Sequence, residues 1–215
     1  MQRGKLYIVS TPIGNLGDIT YRAVEILKSV AFVLAEDTRE SKKLFNRYGI
    51  NTQLISYRDQ IHIKMFNKIK EKLDMGLNLA LISDSGTPLI SDPGFKLVRE
   101  LRDLEYIVES IPGPSALISA LSISGLPTDR FVFLGFLPKS NIKRKNILTR
   151  YLQLEDTLVI YESPKMILKL LNQIFECSSQ STVVLANDLT KLREEVLIGN
   201  AVELITLLKK RDFEN

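Results

Sequence analysis

The sequence is poor in the residues that build metal sites and disulfides. Its 215 residues hold one cysteine (Cys177), one histidine (His62) and no tryptophan. A lone cysteine cannot close a disulfide within the chain, and one Cys with one His cannot supply a zinc ligand set. No metal site is expected. A Ser-His-Asp triad would have to use His62. That residue is placed on the polar side of a helical pattern whose apolar positions are Ile61, Met65, Phe66, Ile69 and Leu73, so a catalytic histidine is not expected. No apolar run approaches the ~20 residues of a membrane span. The start, Met1-Gln2-Arg3-Gly4-Lys5, leads straight into a strand-like run without the apolar stretch of a signal peptide. The expectation is a cytoplasmic protein with no membrane contact. Any chemistry falls to carboxylates, hydroxyls, Lys/Arg and backbone, with or without a cofactor.

What is present reads as an ordinary globular chain. Hydrophobic residues make up 45% and charged residues 25%, and the length suits one large or two small domains with a real core. Net charge is +4. Solvated surface lysine explains a mild excess. A polyanionic partner explains it with clustering, and Lys139, Lys143, Arg144, Lys145 and Arg150 lie close together.

The first half alternates short β-rich runs with helical patterns. Strands are expected at residues 6–10, 32–36, 53–57, 78–83 and 106–111, and helices at 21–29, 39–48, 62–75 and 95–104. Leu6-Tyr7-Ile8-Val9 is apolar without alternation, as suits parallel strands covered on both faces. Strand–helix alternation predicts an α/β fold with an open sheet. Ile111-Pro112-Gly113-Pro114 is the strongest break, because proline fixes φ and removes a donor. It divides the chain into an N-terminal α/β domain with a parallel sheet, residues 1–112, and a C-terminal α/β domain with a mixed sheet, residues 113–215. The second domain is predicted to carry strands at 130–136, 157–162, 182–186 and 195–198, with helices at 115–121, 142–152, 165–175 and 201–210.

Four loops follow predicted strands of the first half, where ligands of open α/β sheets bind. The first, Ser10-Thr11-Pro12-Ile13-Gly14-Asn15-Leu16-Gly17-Asp18, is neither G-x-G-x-x-G nor a P-loop, which weakens the dinucleotide and nucleoside-triphosphate readings. The second is Ala35-Glu36-Asp37-Thr38-Arg39. Thr38 or Asp37 can cap the next helix, and the carboxylates beside Arg39 can equally orient a hydroxyl or act as a base. The third, "SDSGTPLISDPG" from Ser83 to Gly94, is longer than a minimal βα turn of ~2–6 residues. Two prolines stiffen it, two glycines free its backbone, and Asp84 and Asp92 can accept from hydroxyls or N–H groups. The fourth is Pro112-Gly113-Pro114-Ser115-Ala116, with Ser115 as a cap or as a hydroxyl facing the same crevice.

"TPIGNLGD", "AEDTR", "SDSGTPLISDPG", "IPGPSA", "GFLPK", "YESP" and "LTKLREE" stand in that order along nearly the whole chain. In this the sequence resembles the ribosomal RNA small-subunit methyltransferase I family, of the tetrapyrrole methylase superfamily. The resemblance implies two α/β domains with the cofactor cleft between them. It implies an S-adenosylmethionine-dependent enzyme that methylates the ribose 2′-oxygen of a cytidine in small-subunit (16S) ribosomal RNA. Carried over residue by residue, the cofactor is expected at Pro12 and Gly14, at Ser83, Asp84, Ser85, Gly86 and Thr87, at Ile90, and at Ser115 with Ala116. Tyr161 and the stretch containing Ala186, Asn187 and Leu189 are expected to cover the adenosine. Asp84 is taken as the functional aspartate of its loop and Asp92 as a helix cap.

Methyl transfer from a sulfonium is an in-line displacement that needs alignment and a proton acceptor rather than a metal. Asp37 or Glu36 is expected as the base, with Arg39 holding a phosphate or the partner carboxylate. Lys139, Lys143, Arg144 and Lys145 are expected to meet RNA phosphates, supplying affinity rather than sequence choice. The small ribosomal subunit is the expected partner, and the relatives' habit implies a homodimer. The family's carboxyl end runs further, with a last strand. Two other readings share the sequence: a small-molecule methyltransferase acting on a tetrapyrrole or corrinoid, and a non-catalytic RNA- or nucleotide-binding module. The basic cluster and "AEDTR" argue against the tetrapyrrole substrate.

Overall fold

The computed structural model describes residues 2–213, with side-chain surroundings through residue 211. The chain divides into two compact units, residues 1–116 and 117–215.

The first unit is built on five parallel strands: β1 (Leu6–Val9), β2 (Phe32–Ala35), β3 (Gln53–Ser56), β4 (Leu79–Ile82) and β5 (Val108–Ile111). Their order is β3-β2-β4-β1-β5. Between them run α1 (Tyr21–Ser29), α2 (Thr38–Tyr48), α3 (His62–Asp74) and α4 (Phe95–Asp103). Local chemistry sets several helix ends. The Thr20 hydroxyl accepts from the Ala23 N–H to open α1, and Gly49, at φ +60°, closes α2 in the left-handed region that glycine enters freely.

The two faces of the sheet carry separate cores. Val9, Val33, Ala35, Ala80, Ile82 and Ile111 pack with Ala23 and Leu27 of α1 and Leu44 and Phe45 of α2. Leu6, Leu34, Leu79 and Leu81 pack with Ile69 and Leu73 of α3 and Leu97 and Leu101 of α4. Successive residues of β4 thus serve opposite cores, as the pleat requires. Strands with both faces covered are apolar throughout, which explains the unbroken runs in the sequence. Each fully buried Leu, Ile or Phe contributes ~1.5–3 kcal/mol.

The strand order positions the site. Crossovers β1-α1-β2 and β2-α2-β3 step one way along the sheet, and β3-α3-β4 and β4-α4-β5 step back. Right-handed connections then place the two helix pairs on opposite faces. The crossovers from neighbouring strands β1 and β4 leave toward opposite faces, which makes their carboxyl ends the switch point where ligands of open α/β sheets bind.

The second unit follows α5 (Ala116–Ser124) with β6 (Phe131–Phe136), α6 (Asn141–Tyr151), β7 (Thr157–Tyr161), α7 (Ile167–Cys177), β8 (Thr182–Asn187), β9 (Glu195–Asn200) and α8 (Ala201–Phe213). β6 and β7 pair in parallel, with an irregularity between Phe133 and Gly135. β8 and β9 pair antiparallel, from Thr182 opposite Asn200 to Asn187 opposite Glu195. Both strand directions are present, but among the described residues they form two separate ladders rather than one mixed sheet. Leu137, Leu148, Leu170, Ile174 and Ala201 form the core.

Candidate active site

In the first unit, three loops at the carboxyl edge of the sheet are tied into one rim. Thr11 and Gly86 exchange backbone hydrogen bonds, N–H to O at 2.9 and 3.1 Å, which joins the loops after β1 and β4. The Thr11 hydroxyl adds a bond to the Ser83 carbonyl at 3.2 Å. Thr87 reaches both ways. Its hydroxyl lies 2.9 Å from that of Ser10 and donates to the Pro114 carbonyl at 3.0 Å, so the loop after β5 joins as well. A Cβ at Gly113 would stand 3.0 Å from that of Ser10; glycine there lets the two chains approach this closely.

The loop of residues 83–94 carries strain. Leu89 and Ser91 have φ of 72° and 64°, a left-handed conformation uncommon for such residues and costing on the order of 1–3 kcal/mol each. Gly94 stands at φ +124°, where a Cβ would meet Leu81 Cδ2 at 2.6 Å. A strained loop held by hydrogen bonds at a sheet's carboxyl edge is a feature of ligand sites.

The expected cofactor residues divide by what they can offer. Pro12 and Ser83 are buried. The Ser83 hydroxyl donates within its own loop, to the Ser85 and Gly86 carbonyls at 3.3 Å each, so these two residues shape the loop from beneath. Gly86 is buried as well, while Gly14, Asp84, Ser85 and Ile90 are exposed and Thr87, Ser115 and Ala116 are half-buried. Exposed backbone, one carboxylate and the Ser85 and Ser115 hydroxyls, on a scaffold braced by those of Ser10, Thr11, Ser83 and Thr87, suit a small polar cofactor. The donor set fits S-adenosylmethionine. Among the described residues no cluster of His, Cys, Asp or Glu could hold a metal ion.

The carboxylates behind this rim have unequal chemistry. Asp37 is the N-cap of α2. Its Oδ1 accepts from the Arg39 N–H at 2.9 Å and from Arg39 Nε at 3.0 Å, and its Oδ2 accepts from Arg39 Nη2 at 2.6 Å. The Arg39 hydrogen bonds hold the Asp37 carboxyl well below the usual carboxylate range. Glu36 is pushed the opposite way, by burial first and then by the like charges of Asp84 and Asp92, against the pull of Arg58. Of the two expected bases, only Glu36 has a raised affinity for a proton. Arg39 is bonded through Nε and Nη2 to the neighbouring Asp37 carboxylate. Asp84 accepts the Asp37 N–H at 2.9 Å, linking the loop after β4 to the start of α2.

Asp92 is not a helix cap. Gly94 occupies the N-cap of α4, and its N–H donates to Asp59 Oδ1 at 3.1 Å. Asp92 is half-buried, and burial raises its pKa, with the Ser83 hydroxyl opposing. The sequence reading missed Asp59, and with it the bracing under this loop. Tyr57 and His62 are buried, with the Tyr57 hydroxyl 2.9 Å from His62 Nδ1. His62 Nε2 lies 3.1 Å from a Glu100 carboxylate oxygen, close enough for charge pairing yet not aligned as a hydrogen bond. The expectation of a polar-face histidine is corrected. His62 shares its face with Phe66, Ile69 and Leu73, at helical spacings of four, seven and eleven.

In the second unit, Tyr161 ends β7 and packs edge-on against Phe133 and Phe136, with centroids 4.9 and 5.6 Å away. Ala186 and Asn187 end β8, and the turn after it holds Asp188 and Thr190 at positive φ, with Leu189 between them. Lys139 and Lys143 are exposed, with no ion pair among the described residues, and Lys145 is exposed beside Glu176 at 3.1 Å. Arg144 is a correction. Its side chain is 2% exposed, its Nη2 donates to Glu162 at 2.7 Å and its Nε to Gln173 at 2.9 Å. This guanidinium faces inward and cannot meet RNA. The second unit also contains a partly open pocket of about 520 Å³. It is lined largely by aliphatic side chains such as Leu148, Leu170, Leu171 and Val183, and none of the rim carboxylates or hydroxyls belongs to it.

Known proteins resemble this chain along most of its length. Residues 5–205 match the model of the family described as Tetrapyrrole (Corrin/Porphyrin) Methylases. A protein of Rickettsia prowazekii named "Ribosomal RNA small subunit methyltransferase I" is 44% identical over 204 residues, covering 95% of this chain and 73% of that one. The protein of the same name from Escherichia coli O157:H7 is 44% identical, covering 97% and 73%, and that of Thermotoga maritima is 41% identical, covering 97% and 93%. The solved structure of cobalt precorrin-4 methyltransferase, a cobalamin biosynthetic enzyme, superposes with a TM-score of 0.72 over 97% of this chain and 90% of that one, at 16% identity; that likeness speaks for the fold. With the parallel sheet, the tied rim and relatives this similar over nearly the full length, the chain belongs to the tetrapyrrole methylase family and, within it, to the ribosomal RNA small subunit methyltransferase I group.

Proposed function

We propose that this protein methylates the ribose 2′-oxygen of a cytidine in small-subunit ribosomal RNA, with S-adenosylmethionine as donor. The observation that carries the chemical part is the division of labour between adjacent carboxylates. Glu36, raised in proton affinity by burial and by Asp84 and Asp92, takes the proton of the attacking hydroxyl. Asp37, tied to Arg39 on both oxygens, holds the end of α2 in place. S-adenosylmethionine, when bound, supplies an activated methyl group, and the exposed Gly14, Asp84, Ser85 and Ile90, with the half-buried Thr87, Ser115 and Ala116, would hold it. A general base of this kind contributes typically 10²–10⁴-fold, and alignment up to ~7–11 kcal/mol.

The basic residues support a polyanionic substrate. Lys139, Lys143 and Lys145 are exposed beside or on α6 and are the phosphate-binding candidates of the second unit; Arg144 is withdrawn from that set. Among the described residues no helix is long and apolar enough to cross a membrane.

The test is transfer of labelled methyl from S-adenosylmethionine to purified small ribosomal subunits, to free ribosomal RNA and to corrinoid precursors, with nuclease mapping of the product. The expected result is one 2′-O-methylcytidine in the subunit RNA. Transfer to a corrinoid with none to either RNA would replace this reading with the small-molecule one.

A further inference from the structure

The carboxylates around Glu36 raise a problem for an RNA substrate. Asp84, Asp92 and Asp37 are close enough to Glu36 for their negative charges to raise its affinity for a proton. A nucleotide brings its own phosphates to this edge, and like charges in a partly dry site repel strongly. A cation must therefore stand here with its charge free. Arg39 does not meet that need, because its Nε and Nη2 are both engaged by the Asp37 carboxylate.

Arg58 meets it. It directly follows Tyr57 at the carboxyl end of β3, next to β2. Its side chain donates Nε–H to the main-chain carbonyl of Glu36 at 3.1 Å. That partner is neutral, so the guanidinium charge is not cancelled by a directly bonded carboxylate. The residue is exposed, and among the described residues its Nη1 and Nη2 make no hydrogen bond or ion pair. A guanidinium anchored through Nε leaves two parallel N–H groups in the fork that suits a phosphate.

From this we infer that Arg58 binds the phosphate next to the reacting ribose and so fixes the 2′-hydroxyl relative to Glu36. The inference rests on the ribosomal RNA reading above. Anchor and base belong to one residue: Arg58 is bonded to the Glu36 backbone, and the Glu36 side chain takes the proton. The phosphate 3′ to a ribose is attached at the carbon beside the one bearing the 2′-hydroxyl. A grip on that phosphate therefore orients the hydroxyl directly.

The experiment compares wild-type protein with Arg58→Ala and Arg58→Lys in steady-state methylation of small subunits. Subunit binding is measured across salt concentrations, and S-adenosylmethionine affinity by calorimetry. For Arg58→Ala the expected result is a rise in KM for the subunit of about ten- to a hundred-fold, together with a lower kcat because the hydroxyl is no longer oriented, and cofactor affinity within about two-fold. The salt slope of subunit binding should fall by about 0.7–0.9, one phosphate contact. Arg58→Lys should keep the slope, since the charge remains, and still raise KM, since the fork is lost. A fall in kcat at unchanged KM and slope overturns the inference, as it would mean that Arg58 only steadies Glu36. Wild-type KM in Arg58→Lys also overturns it, and that variant decides the matter if Arg58→Ala fails to bind cofactor. Absence of subunit methylation by the wild-type protein sinks the ribosomal RNA reading and takes this inference with it; wild-type activity with unchanged Arg58→Ala kinetics sinks the inference alone.

Discussion

Replacing Arg144 should destabilise the second unit and leave RNA binding unchanged. The Arg144 side chain is 2% exposed and that of Glu162 9%. They meet at 2.7 Å, Arg144 Nε donates to Gln173, and the other Glu162 oxygen accepts the Ser163 N–H at 2.9 Å. Arg144→Met leaves the Glu162 carboxylate buried with that one remaining donor. Removing one partner of a buried pair costs ~3–5 kcal/mol, whereas replacing both by apolar groups of similar volume is often close to neutral. For a chain of this size 1 kcal/mol shifts Tm by ~2–4 °C, so Arg144→Met should lower the first thermal transition by roughly 6–20 °C. Arg144→Met/Glu162→Leu should recover much of that loss, and the double-mutant cycle gives the coupling directly. Calorimetric or circular-dichroism melting reads the stability; filter binding of small subunits across salt reads the RNA side. A Tm within about 1 °C of wild type, together with a reduced salt slope, would refute the argument and return Arg144 to the RNA-facing set.

The pH dependence of methyl transfer should report Glu36. Its folded-state pKa is raised from 4.5, so the charged form is disfavoured in the folded protein. The associated stability is fullest at low pH and declines as pH rises through the ordinary value to the raised one. Single-turnover rate should rise over an acidic limb placed above pH 4.5, as the base deprotonates. Asp84→Asn keeps an acceptor for the Asp37 N–H and removes a like charge, so it should move that limb to lower pH; a limb that stays put would argue that Asp84 does not act on Glu36. Thr87→Val removes the hydroxyl joining three loops. Two lost, partly buried bonds cost about 1–3 kcal/mol, and calorimetry should find S-adenosylmethionine affinity reduced; unchanged affinity would separate the tied rim from the cofactor.

Much of the fold is written in local pattern. Residues 21–29 are predicted and observed as a helix, and the strands of the first unit are observed within a residue or two of their expected bounds. The cause is plain: strands covered on both faces are unbroken apolar runs, and the helices between them are capped or closed by Thr20, Asp37 and Gly49. Strand order is a property of long-range pairing, and no local signal carries it. The site was legible as loops and much less as roles. "AEDTR" identified the two carboxylates, but only the Asp37–Arg39 bonds and the approach of Asp84 and Asp92 show which one favours a proton. His62 and Arg144 were misread for the same reason. Their polarity suggested solvent, while their spacing placed them on buried faces: His62 with Phe66 and Ile69, Arg144 with Leu148. Periodicity was the better guide in both cases, because a polar side chain with a good partner can occupy a core position. Asp59 and Arg58 were missed because "SYRD" resembles an ordinary turn. Their importance comes from lying beside Glu36, just after β2, and Gly94, just before α4, which are distant in sequence.

The most direct test of the account is the single-turnover rate of Glu36→Gln, measured beside Asp37→Asn on small subunits with saturating S-adenosylmethionine. The account predicts a fall of about 10²-fold or more for Glu36→Gln, with cofactor affinity unchanged. It predicts a smaller loss for Asp37→Asn, accompanied by lower stability from the weakened α2 cap. A near-wild-type rate in Glu36→Gln, above all with transfer abolished in Asp37→Asn, would contradict it.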